Sequence, residues 1–443
     1  MQLRYLLTIR LPYFCIMTSI EELYTIYLEN PSVQTDTRKL KAGDLYFALK
    51  GPNFNGNQFA KQAIDAGAAL AIIDEKQYVI EGKTFFVNDV LTSLQQLAKH
   101  HRQQFTIPFL AITGSNGKTT TKELIHAVLS SSYKTYTTEG NLNNHIGVPL
   151  TILKIRNDAQ LAVIEMGANH LREIASYCDV VLPTHGLITN CGKAHLEGFG
   201  SEEGVRIGKG ELYDHLREYE GTAFVMWDYP YLRDMSTGIS EIYTYGTSDA
   251  DVVGNVMHQH QLLNVNFTYG FEGNIQTKLV GDYNLPNVLA AVAIGRYFDV
   301  PNEKIKASIE GYTPTNSRSQ LLQKGSNNII LDAYNANPSS MKAAIENFAK
   351  TDGANKIVAL GAMAELGADS LKEHTSIIKE IDKYQWSDVI LVGGDFMKID
   401  HTFRKFTTPI EAGEFLQKYK PQNAFLLIKG SRSMQMEKLL DYL

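Results

Sequence analysis

A glycine-rich string that joins an apolar run to a helical pattern constrains this chain more than any other feature. Residues 113–120 read TGSNGKTT, follow the apolar residues 109–112 and precede a helix with one apolar face. Glycines let backbone N–H groups close on phosphate oxygens, and a helix N-terminus adds a favourable dipole. The general pattern places a glycine five positions before Gly117, where this chain has Ile112, so Gly114 opens a shortened loop. The string predicts a phosphate-binding loop.

The residues of this loop have expected parts in nucleotide binding. Lys118 would contact the β- and γ-phosphates, and the Thr119 hydroxyl would hold Mg²⁺. A chance glycine-rich turn is the alternative, and the flanking strand and helix patterns argue against it. The ATP-binding residues predicted in the loop are Gly114, Ser115, Asn116, Gly117, Lys118, Thr119 and Thr120.

The surrounding pattern is typical of parallel α/β units, because short apolar runs alternate with helical patterns. A period of two over residues 251–280 predicts a small antiparallel meander, and residues 314–317 read as a linker. The length of 443 residues predicts about three domains, which we place at 1–106, 107–313 and 314–443. Predicted strands cover 69–73, 84–87, 109–112, 161–166, 186–189, 223–226, 328–331, 356–360, 389–392 and 424–428, and predicted helices cover 90–104, 284–298 and 302–309.

The composition is that of a globular chain and narrows the function classes. Hydrophobic residues make up 44% and the net charge is −6, which argues against a sequence-independent binder of nucleic acid or membrane surfaces. The three cysteines have no C-x-x-C spacing, which fits a reducing compartment and a cytoplasmic protein. No apolar run reaches the ~18 residues of a membrane helix. We expect residues 1–16 to be a misassigned extension before a natural start at Met17.

Polar residues at other predicted strand ends extend the candidate site. Glu165 ends one apolar run and His195 follows another, and open α/β sheets bind ligands at the carboxyl ends of their strands. A carboxylate and an imidazole beside a triphosphate would suit a second divalent cation, although each alone is more often structural. Lys209 reads by default as a solvated helix lysine, and His258 and His260 in the meander read as facing solvent.

The pattern of three polar loops is consistent with either a turn or a ligand-binding segment. Residues 140–149, GNLNNHIGVP, are rich in amide side chains that hydrogen-bond ligand groups in fixed directions. Residues 332–338, DAYNANP, follow a predicted strand and have the same ambiguity. Residues 429–432, KGSR, follow the last predicted strand and could bind an anion at a helix start.

Together these motifs resemble those of the Mur ligases of peptidoglycan synthesis. The resemblance covers nearly the whole chain from about Met17, and the motifs stand in the family's order. Phosphate loops are common, whereas EMGANH and YNANP are much narrower and separate this member from its sister ligases. The motifs are TDTR at 35–38, TGSNGKTT, GNLNNHIGVP, EMGANH at 165–170, AHLEGFGS at 194–201, the NxxN of Asn284 and Asn287, DxYNANP, AELG at 364–367 and KGSRS at 429–433.

The resemblance implies an α/β fold with an N-terminal UDP-binding domain, a central P-loop ATPase and a C-terminal Rossmann-like domain. The implied activity is ATP-dependent addition of D-alanyl-D-alanine to UDP-N-acetylmuramoyl-tripeptide through an acyl phosphate. The implied cofactors are ATP and two Mg²⁺ ions, and the implied partners are these small molecules, with no nucleic acid and no membrane insertion. The chain is expected to be a monomer.

The same resemblance assigns roles to residues by motif. Thr119, Glu165 and His195 would ligate Mg²⁺, and Lys209 matches a lysine that is carbamylated in relatives to bridge a second Mg²⁺. Lys118, Glu165, His195 and Lys209 are the implied catalytic residues. The nucleotide would also be contacted by Asn284, Asn287, Arg318 and Asp332. The implied substrate-binding residues are Thr35, Asp36, Thr37, Arg38, Asn141, Asn143, Asn144, Asn335, Asn337, Lys429, Ser431 and Arg432.

Three positions depart from the family's pattern. Tyr283 stands where many relatives have His, Asn57 where a Gly-His pair usually ends a loop, and Ala362 where an Asp is common. We expect the first two to be tolerated, whereas Ala362 leaves the roles within its loop open. The alternative functions are a folylpolyglutamate synthase-like ligase, a sister Mur ligase, or a P-loop ATPase switch that ligates nothing. The sequence leaves the third residue of the peptide as either meso-diaminopimelate or lysine.

Overall fold

The computed structural model describes residues 19–257, 261–315 and 317–443. The chain forms two compact units, of which the smaller contains residues up to Phe105 together with Ile152–Lys154, and the larger contains Thr106–Thr151 and Ile155–Leu443. The expectations for residues 1–16, Met17, His258 and His260 lie outside the described residues. The domain boundaries at 106 and 313 stay predictions.

The N-terminal unit is built on a parallel sheet of four short strands in the order β1-β2-β5-β6. The predicted strands at 69–73 and 84–87 and the predicted helix at 90–104 are confirmed to within two residues. The first two strands were not predicted, because they have only two and three residues. The elements are α1 (Ile20–Glu29), β1 (Val33–Gln34), β2 (Leu45–Phe47), β3 (Lys50–Gly51), β4 (Phe54–Asn55), α2 (Ala60–Asp65), β5 (Leu70–Ile73), β6 (Thr84–Phe86) and α3 (Val90–Arg102).

The first part of the larger unit is a nine-stranded sheet in the order β15-β14-β13-β12-β11-β10-β7-β9-β8. The strands are β7 (Phe109–Thr113), β8 (Thr135–Thr137), β9 (Leu161–Glu165), β10 (His185–Ile188), β11 (Thr222–Met226), β12 (Glu241–Gly246), β13 (Val252–Val256), β14 (Leu262–Tyr269) and β15 (Gly273–Val280). The helices are α4 (Lys118–Ser130), α5 (Gly147–Ile152), α6 (Glu173–Val181), α7 (Leu196–Phe199), α8 (Glu202–Glu218), α9 (Pro230–Ser236), α10 (Leu285–Tyr297) and α11 (Asn302–Gly311).

The position of β7 in this sheet determines where a ligand can bind. β7 pairs in parallel with β9 on one side and with β10 on the other, so the strand order reverses around it. Such a switch point opens a crevice at the carboxyl ends of the strands. The crevice receives the loop after β7, the last residue of β9 and the segment after β10. The predicted meander is confirmed as antiparallel, but it is not separate, because β13 also pairs in parallel with β12.

The last part of the larger unit is a six-stranded sheet in the order β16-β17-β21-β18-β19-β20, in which all pairs except β16–β17 are parallel. The four predicted inner strands are confirmed, and the two edge strands were missed because they are short or polar. The elements are β16 (Gln320–Lys324), β17 (Asn327–Asp332), α12 (Pro338–Lys350), β18 (Lys356–Gly361), α13 (Ser370–Ile381), β19 (Asp388–Val392), β20 (Arg404–Phe406), α14 (Pro409–Tyr419) and β21 (Phe425–Lys429).

The predicted α/β class is confirmed, since the four-, six- and nine-stranded sheets are wholly or mostly parallel with helices between their strands, whereas β3 and β4 form a separate antiparallel pair. Among the residues that the structure describes, no helix has both the length and the apolar character that crossing a bilayer requires.

The packing of β21 predicts a large loss of stability when its core is opened. Leu426 is fully buried in the apolar cluster of the six-stranded sheet, whereas Leu371 on α13 is half exposed. We expect Leu426→Ala to lower the free energy of unfolding of this part by about 2–5 kcal/mol, because a cavity is left. Leu371→Ala is the matched control and should change it by less than about 0.5 kcal/mol. Urea unfolding of the two variants measures the difference, and equal losses would contradict the packing.

Candidate active site

The loop between β7 and α4 has the backbone of an anion-binding loop. Gly114 and Gly117 have φ of +141° and +80°, and a Cβ at Gly117 would lie 2.6 Å from Asn287 Oδ1. The Ser115 hydroxyl donates to the Gly192 carbonyl at 2.9 Å, and the Asn116 N–H donates to Asn190 Oδ1 at 3.0 Å. Among the described residues, no side chain caps the N-terminus of α4. Its first N–H groups are therefore available to an anionic ligand.

Lys118 lies over this loop. Its Nζ donates to the carbonyls of Gly114 at 2.7 Å and Ser115 at 3.3 Å. Burial lowers the pKa of the Lys118 amine, and the positive charge of Arg318 lowers it further, while Glu165 opposes both effects. An ammonium group held beside the uncapped start of α4 is suited to oxygens of a phosphate chain. The predicted place of Lys118 in a phosphate-binding loop agrees with this geometry.

Glu165, the last residue of β9, is the centre of a buried polar cluster. Its Oε1 accepts from Asn143 Nδ2 at 2.7 Å and from the Thr119 hydroxyl at 3.2 Å. Its own N–H donates to Thr138 Oγ1 at 2.9 Å. Its Oε2 is buried and makes no hydrogen bond with any residue that the structure describes. The structure thus brings together Thr119, Asn143 and Glu165, which the sequence placed in three separate motifs.

A divalent cation fits this cluster. An unsatisfied carboxylate oxygen inside a protein is unfavourable, and here it lies beside a threonine hydroxyl at the anion-binding loop. Mg²⁺ is commonly held by one or two carboxylates together with phosphate oxygens and water. Within the described ranges, no three His, Cys, Asp or Glu side chains are grouped as a metal site. The ligands of a cation here would therefore come from Glu165, Thr119 and a bound phosphate.

His195 contacts the C-terminal part of the larger unit. Its Nδ1 lies 2.5 Å from Glu365 Oε2, and this contact lowers the pKa of Glu365. Both residues have left-handed backbone conformations, with φ of +52° and +60°. Such conformations are costly for residues other than glycine and are typical of functional sites. The partner that the structure gives His195 is a carboxylate from another segment, and its role as a Mg²⁺ ligand beside Glu165 stays a prediction.

Lys209 is not the solvated lysine that its helix position suggested by default. It is only 1% exposed, and its Nζ donates to the Ala168 carbonyl at 2.8 Å. Burial, assisted by the positive charge of Lys118, lowers the pKa of Lys209 to about 7. The sequence carried a signal for this burial, because Lys209 lies four residues after Val205 and three before Leu212 on the apolar face of α8.

Asn284 and Asn287, predicted to face adenine, bind each other and the P-loop helix. Asn287 Nδ2 donates to Asn284 Oδ1 at 2.8 Å, and the Thr121 hydroxyl of α4 donates to Asn287 Oδ1 at 2.9 Å. Asn284 Nδ2 donates to the Val280 carbonyl at 2.8 Å. These bonds fix α10 against the helix that follows the loop. Their contact with adenine stays a prediction.

The predicted residues of the C-terminal part form a second polar cluster. Lys429 is 2% exposed and donates to Asp332 Oδ2 at 2.5 Å, and the Ser319 N–H donates to Asp332 Oδ1 at 3.1 Å. The Arg318 guanidinium lies 3.6 Å from the centre of the Tyr334 ring. Ser431 Oγ donates to the Ala362 carbonyl at 2.7 Å, and the Arg432 guanidinium donates to Glu437 at 2.9 Å.

The amide-rich loops divide between the site and local turns. Asn337 Nδ2 donates to Asn116 Oδ1 at 2.8 Å, so it reaches the phosphate-binding loop itself. Asn144 Oδ1 accepts the N–H groups of Ile146 and Gly147, which makes it a turn residue in this structure. Asn335 Oδ1 accepts the N–H of the next residue, and Asn141 contributes its carbonyl to the N–H of Asn143. Their predicted substrate contacts stay untested.

The TDTR segment lies in the N-terminal unit. Asp36 caps a short 3₁₀ helix by accepting the Arg38 N–H at 3.0 Å, and it also accepts from Arg38 Nε at 2.9 Å. These bonds lower the pKa of Asp36 to about 2. Thr35 donates its N–H to Gln34 Oε1, and Thr37 begins the 3₁₀ helix. The Arg38 side chain is 87% exposed and forms an ion pair with Asp36, with Nη2 2.8 Å from Oδ2.

Sequence reasoning missed Lys193 and Glu373. Lys193 Nζ lies 2.8 Å from Glu373 Oε1, and the Lys193 N–H donates to Ser339 Oγ at 3.0 Å. The Glu373 side chain is 5% exposed and that of Lys193 is 36% exposed. These contacts join the segment after β10 to α12 and α13. The residues are 180 positions apart, so no local pattern indicates the pair.

Removal of Lys193 should destabilise the larger unit. Lys193→Met leaves the Glu373 carboxylate nearly buried without its close cation, and we expect a loss of about 1–3 kcal/mol in the free energy of unfolding. Lys372→Met is the matched control, because Lys372 lies on α13 next to Glu373 and forms an exposed ion pair with Asp369. Urea unfolding measures both, and a neutral Lys193→Met would contradict this assignment.

Lys209 should give stability a pH dependence of defined sign. Its pKa is about 7 in the folded chain against an ordinary 10.5, so between these values the unfolded chain binds more protons. The stability contribution therefore rises with pH through this window, and the cost of burial is fully present below it. In bicarbonate-free buffer, we expect Lys209→Met to flatten the profile of unfolding free energy from about pH 7 to about pH 10. The exposed Lys304→Met is the control, and a Lys209→Met profile parallel to the unchanged chain would contradict the lowered pKa.

Comparison with protein families gives three matches along the chain. The Mur ligase family catalytic domain matches residues 31–103. The Mur ligase middle domain matches residues 112–295, and the Mur ligase glutamate ligase domain matches residues 317–432.

Similarity to individual proteins extends over most of the chain. The UDP-N-acetylmuramoyl-tripeptide–D-alanyl-D-alanine ligase of Bacillus subtilis (strain 168) is 38% identical over 345 residues, which are 76% of this chain and 74% of the relative. The crystal structure of MurF from Acinetobacter baumannii has a TM-score of 0.84 at 31% identity and covers 93% of this chain and 92% of its own. MurF ligase from Thermotoga maritima in complex with ADP has a TM-score of 0.84 at 26% identity, with 94% and 97% covered. Since sequence and fold agree across all three matched regions, this chain belongs to the Mur ligase family.

Proposed function

We propose that this chain catalyses the ATP-dependent ligation of D-alanyl-D-alanine to UDP-N-acetylmuramoyl-tripeptide in peptidoglycan synthesis. The observation that carries the proposal is the Glu165 carboxylate buried beside the phosphate-binding loop, in a chain 38% identical to a ligase of that name. The fold is confirmed as the three-domain α/β fold of the family. Binding of ATP is supported by the similar structure in complex with ADP.

The chemistry has to activate a carboxylate, because condensing a carboxylate with an amine in water is unfavourable. In the proposed first step, an oxygen of the tripeptide's terminal carboxylate attacks the γ-phosphorus of ATP, an O–P bond forms, and ADP leaves. In the second step, the amine of D-alanyl-D-alanine attacks the acyl carbon, an amide forms, and inorganic phosphate leaves. The amine releases one proton in this step. Water must be excluded while the acyl phosphate exists.

The residues around the loop have parts that follow from their positions. Lys118 and the free N–H groups at the start of α4 would bind the phosphates and offset their repulsion of the incoming carboxylate. Asn143, already bonded to Glu165, would orient the tripeptide end near the γ-phosphate. Asn337 reaches Asn116 of the loop and would bring the C-terminal part to the reacting groups. The segment Thr35–Arg38 would hold the uridine diphosphate end.

Mg²⁺ fits the residues present. Glu165 and Thr119 would hold one ion, because Glu165 has an unsatisfied buried oxygen beside the hydroxyl. His195 and a carbamylated Lys209 are proposed ligands of a second ion, and the lowered pKa of Lys209 favours the neutral amine that carbon dioxide requires. The bound ions would supply positive charge against the negative charge of the phosphates. We propose that the nucleotide is contacted by Asn284, Asn287, Arg318 and Asp332. The dipeptide substrate would be contacted by Lys429, Ser431 and Arg432.

The surroundings of the reaction are proposed as well. Cys178 and Cys191 are free buried thiols, which fits the reducing cytoplasm. We propose a monomer, as the resemblance to the family implies. The peptide's third residue is left as either meso-diaminopimelate or lysine.

Phosphate release from ATP tests the function directly. With Mg²⁺ and UDP-N-acetylmuramoyl-tripeptide present, we expect release to need D-alanyl-D-alanine and to give one UDP-linked pentapeptide per phosphate. Lys118→Met should lower kcat by about 100-fold or more, because the substitution removes the positive charge that would stabilise the transferred phosphate. Mass spectrometry of the product checks the stoichiometry.

The outcomes separate the alternatives. Release that is indifferent to the dipeptide would contradict the ligase and favour a P-loop ATPase switch. Release that responds to a folate and glutamate, but not to the UDP-linked tripeptide, would favour a folylpolyglutamate synthase-like ligase. The exposed Lys304→Met serves as control and should behave as the unchanged chain.

A further inference from the structure

Lys122 is a fully buried lysine for which the proposed reaction has no part. It lies on α4, one helical turn after Lys118, and its side chain is 0% exposed. Its Nζ donates to the Thr138 carbonyl at 2.5 Å. The same Nζ lies 2.7 Å from Oε1 of Glu123, whose side chain is 37% exposed. A buried ammonium group is costly even when it is paired. An apolar side chain would fill the same space without that cost, so packing alone does not explain a lysine.

The acceptor of Lys122 is the residue that supports Glu165. Thr138 directly follows β8 and is itself 0% exposed. Its hydroxyl accepts the N–H of Glu165 at 2.9 Å, and its own N–H donates to the Val163 carbonyl at 3.2 Å. Thr138 therefore connects the end of β9 to the Lys122 ammonium, which donates to the Thr138 carbonyl.

The same residue opens the segment that carries Asn143. Asn143 lies five residues after Thr138 and donates to Glu165 Oε1, which also accepts from Thr119 of α4. The bonds form a closed ring: α4 reaches Thr138 through Lys122, Thr138 reaches Glu165, and Glu165 returns to α4 through Thr119. In this ring Lys122 fixes the distance between the P-loop helix and the strand end. The free Oε2 of Glu165 depends on that distance for its position.

We infer that Lys122 is a positioning residue for the divalent cation, acting through Thr138 on the Glu165 carboxylate and on the Asn143 segment. The inference rests on the proposed function, since it takes Glu165 as a ligand of a nucleotide-bound cation. Lys122 touches neither cation nor substrate. Its ammonium group holds the Thr138 carbonyl, and Thr138 orients the backbone from which the carboxylate projects.

Binding of Mn²⁺ in the presence of ADP, followed by electron paramagnetic resonance on the full chain, tests this directly. We expect Lys122→Met to weaken Mn²⁺ binding by about 10-fold or more, as loss of a group that orients a metal ligand does. Thr138→Val removes the hydroxyl but keeps the carbonyl, and it should weaken binding in the same direction. Melting temperatures measured without metal report on stability separately. A purely structural role of Lys122 would lower the melting temperature of the variant and leave the spectrum of bound Mn²⁺ unchanged.

Lys304→Met is the matched control, because Lys304 also donates to a backbone carbonyl of this region, that of Ser131 at 2.9 Å just after α4. It should bind Mn²⁺ as the unchanged chain does. If Lys122→Met binds Mn²⁺ normally, the inference is wrong while the proposed function stands. If that variant does not fold, Thr138→Val decides, and normal binding by it overturns the inference. If the unchanged chain itself binds no Mn²⁺ with ADP, the proposed function fails, and the inference fails with it.

Discussion

The buried carboxylate of Glu165 is the constraint on which the candidate site depends. A carboxyl group that is 1% exposed must be hydrogen-bonded, and here two other segments donate to it while a third residue holds the Glu165 backbone N–H. Thr119 of the P-loop helix and Asn143 of the amide-rich loop donate to its Oε1, and Thr138 at the end of β8 accepts the Glu165 backbone N–H. One residue, through its side chain and its backbone N–H, thus sets the mutual positions of the elements around the phosphate-binding loop. The cost of its remaining free oxygen is what a cation would relieve.

The C-terminal part is attached to this centre by polar contacts from the same few segments. Asn337 meets Asn116 in the phosphate-binding loop, and Glu365 meets His195. Lys193, two residues before His195, pairs with Glu373. Polar contacts of this kind depend on geometry more than apolar packing does, and they can be exchanged for ligand contacts. A nucleotide bound at the loop would therefore act directly on the segments that hold the C-terminal part.

The sequence predicted those features whose cause is local. The loop at 113–120 and the strand ending at Glu165 follow from a short apolar run and its neighbours, and the structure confirms both elements. The burial of Lys209 was missed although its spacing from Val205 and Leu212 indicated it, because a charged residue was given a solvated position by default. The Lys193–Glu373 pair had no local cause at all, since its members meet only when two sheets pack together. The edge strand β20 is three residues long and is defined by its pairing with β19.

The electrostatics of the two buried lysines give the site a further property. Lys118 and Arg318 repel each other, and Lys118 in turn lowers the pKa of Lys209, so the protein alone holds excess positive charge around the loop. A triphosphate would neutralise that charge and raise the pKa of Lys118, which strengthens its own binding. The lowered pKa of Lys209 favours its neutral amine, and carbamylation of that amine would place a negative charge there that attracts Lys118. That attraction would stabilise the Lys118 ammonium beside the phosphate-binding loop, at a residue already buried where water screens little.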